Sequence, residues 1–154
     1  MRNASIPAAA SPELALQADQ LVALSGAGSA DNIVIAGAGQ LDLLIALTRA
    51  GFASAACQSI HQAPHLAHET ADVILAPAIR GEAELRAVLR WFAPHLRRGG
   101  VFVLRPSVAD ALADVPLRRL LHDSGFADIE TSRARDGCLL WRARKCAAAL
   151  ARAA

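Results

Sequence analysis

Apolar residues fall in short blocks whose spacing switches between helical and extended. Leu14, Leu16, Leu21, Val22 and Leu24 supply the apolar surface of a first helix. Ser11-Pro12-Glu13 marks its start, with Ser as N-cap and Pro at the first helical position. Ser25-Gly26-Ala27-Gly28-Ser29 ends it. Asn32 to Ala36 is a short Ile/Val strand that runs directly into Gly37-Ala38-Gly39. From Gln40 to Ala50, Leu41, Leu44, Ile45 and Thr48 recur at helical spacing. Leu43 and Leu47 fill the other side, so this helix is read as buried on more than one face, and Gly51 suits its C′ position.

A weak second strand is predicted from Phe52 to Cys57. Ile60 to Thr70 is polar and His-rich, and Pro64 is placed to begin a short helix. Ala71 to Ala76 is a third strand with the continuous apolar character of a buried parallel position. Gly81 to Leu96 is an amphipathic helix, with Leu85, Val88, Leu89, Phe92 and Leu96 on one stripe. Glu82 and Arg86 form an i,i+4 pair on its outer face. Arg97-Arg98-Gly99-Gly100 is read as the end of that helix, and Val101 to Leu104 as a buried strand stopped by Pro106. A further helix is predicted from Pro116 to Ser124, with Leu117, Leu120 and Leu121 inward and Gly125 at its end. Asp128–Arg133 and Cys138–Arg144 then form a hairpin around Asp136-Gly137. Strand, glycine turn and buried helix open a doubly wound α/β sheet, mostly parallel, with a C-terminal antiparallel hairpin. Only about fifteen residues separate the second strand from Asp72, so the sheet is expected to be shortened at one edge.

Composition narrows the picture. The chain has 154 residues and is 54% hydrophobic, which suits one domain with one packed core. Residues 1–11 are read as a flexible N-terminus, 12–145 as the domain and 146–154 as an Ala-rich tail. No apolar run approaches the roughly 20 residues that cross a bilayer, and the opening MRNASIPAAA lacks a sustained apolar segment. No membrane association is expected. Cys57, Cys138 and Cys146 are widely spaced and odd in number. They are read as buried free thiols of a cytoplasmic protein, not as a zinc site or disulfide framework. Charge is uneven: residues 1–77 hold two Arg against six acids, net −4, and residues 78–154 hold fourteen basic residues against eight acids, net +6. The basic half leaves nucleic acid open as a partner.

Three segments carry a resemblance: IVIAGAGQLDLLIAL (33–47), LRAVLRWFAPHLRRGGVFVLRP (85–106) and LRRLLHDSGFADIETSRARDGCLLWRARK (117–145). In that order they resemble the class I S-adenosylmethionine-dependent methyltransferase family, over roughly residues 12–145. The resemblance implies a Rossmann-like methyltransferase fold. It also implies a cofactor crevice at the carboxyl ends of the first, second and fourth strands of the family's sheet. Carried onto this chain, the cofactor residues would be Ala36, Gly37, Ala38, Gly39, Gln40, Gln58, Ala76 and Pro77. No catalytic residue is assigned and no metal is expected.

The chain departs from the family pattern at several places. Ile35 stands where an acid usually precedes the loop, and Leu41 where a third glycine usually follows. Ala56-Cys57-Gln58-Ser59 has no acid for the ribose hydroxyls, with Gln58 or Ser59 as neutral substitutes. A charge-assisted hydrogen bond contributes about 1.5–3 kcal/mol. Losing two therefore removes ~3–6 kcal/mol, or about two to four decades of affinity. Ala76-Pro77-Ala78-Ile79 replaces the polar-Pro-Pro-aromatic motif of amino-group methyltransferases and offers no proton acceptor.

Other motifs compete. GAGQLD resembles part of a dinucleotide fingerprint, but Asp42 would sit near the pyrophosphate, and it equally suits the helix dipole. His61, His65 and His68 form HxxxHxxH, read as a solvated loop in preference to a zinc site. Arg118, Arg119, Arg133, Arg135, Arg142, Arg144 and Lys145 are read as an exposed basic face, and Trp91 and Trp141 as packing residues. The leading expectation is a methyltransferase-like domain that has lost ordinary catalysis. It would act through binding, as a homodimer or with a heteromeric protein partner. The alternative is a divergent small S-adenosylmethionine-dependent methyltransferase.

Overall fold

The computed structural model describes residues 12–61, 63–108 and 112–146. The expected N-cap Ser11, residues 1–10 and the tail from Ala147 lie outside them. The chain runs α1 (Pro12–Ser25), β1 (Ile33–Ala36), α2 (Gln40–Arg49), β2 (Ala55–Gln58), β3 (Ala71–Ile79), α3 (Glu82–Phe92), β4 (Leu96–Pro106), α4 (Asp114–Asp123), β5 (Phe126–Arg133) and β6 (Leu139–Lys145). The six strands form one sheet in the order β2-β1-β3-β4-β6-β5. β1, β2, β3 and β4 pair in parallel, and β6 runs antiparallel to both β4 and β5. This is the α/β architecture the sequence pattern predicts, with β2 as a four-residue edge.

Both faces of the sheet are covered, which explains the unbroken apolar runs of β1, β3 and β4. Val34, Ala36, Ile74, Ala76, Phe102, Leu104 and Trp141 point to one face, where Leu85, Val88, Leu89 and Phe92 of α3 and Leu117 and Leu121 of α4 cover them. Ile33, Ile35, Val73, Leu75, Val101 and Val103 point to the other, under Leu21 of α1 and Leu43 and Leu47 of α2. Leu41 is 67% exposed, so α2 buries the Leu43–Leu47 side and not the stripe that includes Leu41. Of the two tryptophans, Trp141 is a core residue.

Several boundaries differ from expectation for local reasons. Phe52 belongs to the end of α2, not to β2. Its N–H donates to Leu47 O at 3.0 Å while Gly51 N–H donates to Thr48 O at 3.1 Å, which is a Schellman closure. α3 stops at Phe92, a 3-10 turn through Pro94 follows, and Leu96 opens β4 opposite Ala71. Arg97–Gly100 therefore lies inside β4 as a bulge and does not end the helix. While β3 advances from Ala71 to Val73, its partner advances from Leu96 to Val101. A Cβ on Gly100 would lie 2.6 Å from Leu96 Cδ1, so only glycine fits there. β3 extends past Ala76 to Ile79, where Ser107 N–H donates to Ile79 O at 2.8 Å. Residues 59–70 hold no helix at Pro64. The hairpin forms as predicted, with Gly137 at φ +87° and Ala134 N–H donating to Cys138 O at 2.8 Å. All three cysteines are free, but half-buried and not buried.

Candidate functional site

Parallel strands end together. The carboxyl ends of β1, β2 and β3 meet around the turn Gly37-Ala38-Gly39. Ala36 is in register with Gln58, and Ile35 with both Cys57 and Leu75. The residues picked out by the resemblance, Ala36 through Gln40, Gln58, Ala76 and Pro77, are thus neighbours in space. Gly37 and Gly39 have φ of +93° and +75°, and Gly39 is the left-handed N-cap of α2, without a side-chain cap. Cβ atoms at these glycines would meet Ala78 O at 3.9 Å and Pro77 Cγ at 3.8 Å, ordinary contact distances. Backbone conformation, not crowding, is what demands glycine here. Gln40 Nε2 donates to Gln58 O at 2.9 Å, and the Cys57 thiol approaches Gln40 O at 3.5 Å, so α2 is tied to the end of β2. Burial pushes the Cys57 thiol above its ordinary pKa. That keeps it protonated and poorly nucleophilic.

Two hollows lie near the turn. One, of about 140 Å³, is lined by Gln17, Ala18, Leu21, Gly39, Leu43, Pro77, Ala78 and Arg105. Small-molecule sites run about 300–1,000 Å³, so this hollow is undersized for a complete cofactor. The other, of about 470 Å³, opens between Ile60-His61 after β2 and the first turn of α3, and is lined also by Arg80, Gly81, Ala83, Glu84 and Ala87.

A charged side chain that is largely shielded from solvent borders each hollow. The Arg105 guanidinium pairs with Asp136 of the hairpin, but its buried Nε has no partner among the described residues. Glu84 is the side chain that sequence reasoning missed. Its Oε2 accepts from the Arg80 N–H at 2.7 Å and pairs with Arg80 Nε at 3.5 Å, while its side chain is only 10% exposed. Oε1 is buried, lies 3.8 Å from the position a Cβ on Gly37 would take, and has no partner among the described residues. Leaving such an acceptor unsatisfied costs about 1–3 kcal/mol. The available signal was Glu84 near the start of a helix that follows the strand. An acid there also suits the positive end of the helix dipole.

The remaining candidates separate. Ile35 is fully buried in the core under α1 and α2, and Leu41 faces solvent, so neither plugs the crevice. His61 borders the larger hollow and His65 is exposed. His68 stacks on His95 at 5.0 Å, whose Nδ1 donates to Ala67 O at 3.1 Å. No three His, Cys, Asp or Glu side chains gather as a metal site among the described residues. No helix among them is long and apolar enough to cross a membrane. In the basic segment, Arg118 lies over Trp141 at 5.1 Å and Arg142 pairs with Glu130. Lys145 Nζ donates to Ala93 O and Leu96 O at 2.7 and 2.6 Å. These three are engaged in the fold, whereas Arg119, Arg133, Arg135 and Arg144 are exposed.

The fold is that of the class I methyltransferases. It is shared with a SAM dependent methyltransferase from Aquifex aeolicus, with a TM-score of 0.65 and 11% identity over 88% of this chain and 94% of that one. Geranyl diphosphate C-methyltransferase from Streptomyces coelicolor, seen with Mg2+, geranyl diphosphate and S-adenosyl-L-homocysteine, has a TM-score of 0.61 at 12% identity over 84% and 78%. The protein complexed with the Haloferax volcanii Trm112 methyltransferase activator has a TM-score of 0.61 at 12% identity over 87% and 91%. No protein-family model matches the chain, and no curated protein matches it in sequence.

The residues present do not fit S-adenosylmethionine held in the family's usual way. The position before the turn is core isoleucine, and the end of β2 offers no carboxylate. The Gln58 main-chain carbonyl accepts from the Gln40 side chain, and the hollow beside Gly39, at about 140 Å³, is undersized for the whole cofactor.

Proposed function

We propose that this domain is a methyltransferase-fold binding module that does not carry out ordinary methyl transfer. The single observation behind this reading is that the hollow beside Gly39, Pro77 and Ala78 holds only about 140 Å³ on the α1–α2 side, with no proton acceptor in Ala76–Ile79. Methyl transfer needs a nucleophile held in line with the donor, and positioning supplies much of such a rate. A wall of alanine, proline and isoleucine neither orients a nucleophile nor takes its proton. Catalysis by a divergent enzyme would need both roles filled from elsewhere.

The module acts with a protein partner, either a second copy or a different subunit. The Haloferax neighbour seen with an activator protein supports that reading by analogy. The exposed arginines of β5 and β6 suit an acidic partner surface, with nucleic acid as the other anionic candidate. Three free cysteines suit the cytoplasm. Calorimetry with S-adenosylhomocysteine tests the central claim. Binding no tighter than the high micromolar range is expected, and stoichiometric low-micromolar binding would overturn it.

A further inference from the structure

We propose that copies of this chain associate head to tail, the outer face of α2 of one copy seating in the groove between α3 and α4 of the next. This rests on the reading that the domain acts with a protein partner, and it names that partner as a second copy. The groove has a volume of about 450 Å³ and is lined by the apolar Leu89, Ala93 and Leu120 and the cations Arg86, Arg90 and Lys145. Lys145 Nζ donates to the carbonyls of Ala93 and Leu96, which places the groove at the amino end of β4, away from the strand ends around Gly37. Arg86 is paired with Glu82 at 2.6 Å. Arg90 is exposed, lies over Trp91 at 5.3 Å, and has no carboxylate within ion-pair distance among the described residues.

The outer face of α2 is the converse surface. Leu41 is 67% exposed, and Ile45, one turn further on, is half-buried. Asp42 stands beside both at helical spacing and is exposed, with no ion pair among the described residues. Apolar residues one turn apart are the anchors with which a helix enters a groove. Seated over Leu89 and Leu120, they bring Asp42 to Arg90. The same asymmetry runs through the whole chain. Residues 1–77, which include α2, carry a net charge of −4, and residues 78–154, which include α3 and α4, carry +6. The two sets of helices cover opposite faces of the sheet, so complementary charge steers copies into a stack. One neighbour cannot engage both faces, so the contact is heterologous and propagates, and it does not close as a two-fold dimer.

Analytical ultracentrifugation of the intact chain tests the contact. The weight-average mass is expected to rise from the low micromolar to the millimolar range without a plateau at the dimer, and to fall back as salt screens the charges. Arg90→Glu sets a carboxylate against Asp42, and Asp42→Arg sets a guanidinium against Arg90. Each alone is expected to weaken association about tenfold or more, with thermal melting little changed because both side chains are exposed. Mixed in equal amounts, the two variants are expected to recover the association, since every contact between unlike copies then joins an acid to a base. The double variant, with the charges exchanged, is expected to recover it as well. Leu41→Gln, which removes an exposed apolar anchor, is expected to weaken it about tenfold. A plateau at the dimer, a constant mass up to millimolar chain, or a mixture no more associated than either variant would each overturn the proposal. S-adenosylhomocysteine as a titrant separates the failures. Low-micromolar binding by a chain that still associates counts against the noncatalytic reading alone, and a chain that stays monomeric counts against the contact alone.

Discussion

The middle of the sheet and its β2 margin follow opposite designs. β3 and β4 are long, lie between two helical layers, and carry Ile74, Leu75, Phe102, Val103 and Leu104 at no more than 2% exposure. β2 has four residues, all half-buried, and the described residues of the segment that follows it supply Leu66 and Ile60 to the core. The difference teaches where a shortened doubly wound sheet can spare material. Central strands carry the packing that holds the domain together. The margin is free to hold a cleft because little of the stability depends on it.

Three substitutions test that contrast. The largest effect is expected for Phe102→Ala, which empties a site packed between Phe126 and the α3 stripe. A loss of about 3–5 kcal/mol follows from the transfer and cavity terms, read in a denaturant melt. Leu66→Ala, at the margin, is expected to lose about 1–2 kcal/mol, less than a fully buried leucine would. A loss at Leu66 equal to that at Phe102 would break the comparison.

The smallest effect concerns the amino end of β3. Burial raises the Asp72 carboxyl, but the hydrogen bonds from the Asn32 N–H and Arg97 outweigh it, so its pKa lies below the ordinary value. The fold therefore favours the ionised form. The stability is present above the unfolded value of about 3.9 and drains as the pH falls toward the lower folded value. Asp72→Asn is expected to cost up to about 1 kcal/mol at neutral pH, as exposed pairs do. Its melting temperature should converge with that of the original chain below about pH 4. A gap that stays constant with pH would show that the ion pair contributes nothing there.

Local patterning reached far into this fold. β1, α2, α4 and the Asp136-Gly137 hairpin are legible because period, caps and turn residues agree at each. Misplaced boundaries fall where long-range pairing overrides local signals. Leu96 continues the α3 stripe by spacing, yet it pairs with Ala71. Arg97–Gly100 looks like a helix terminus, yet it forms a bulge in β4. The site was half legible. Ala36–Gln40, Gln58, Ala76 and Pro77 follow from strand ends, since parallel strands finish on one side. Glu84 does not, because its neighbour Gly37 lies far off in the chain and its burial depends on how α3 lies on the sheet.

What the sequence determined by itself is the order of strands and helices, the glycine turn after β1, and the want of acids at the end of β2. Each is written in residues that are neighbours along the chain or spaced by one helical or strand period. Only the tertiary structure decided that Leu41 faces water, that Gly39, Pro77 and Ala78 line one hollow, and that a carboxylate from α3 arrives near Gly37. Those outcomes depend on which faces the packed layers bury, and layer packing joins residues that no local period connects.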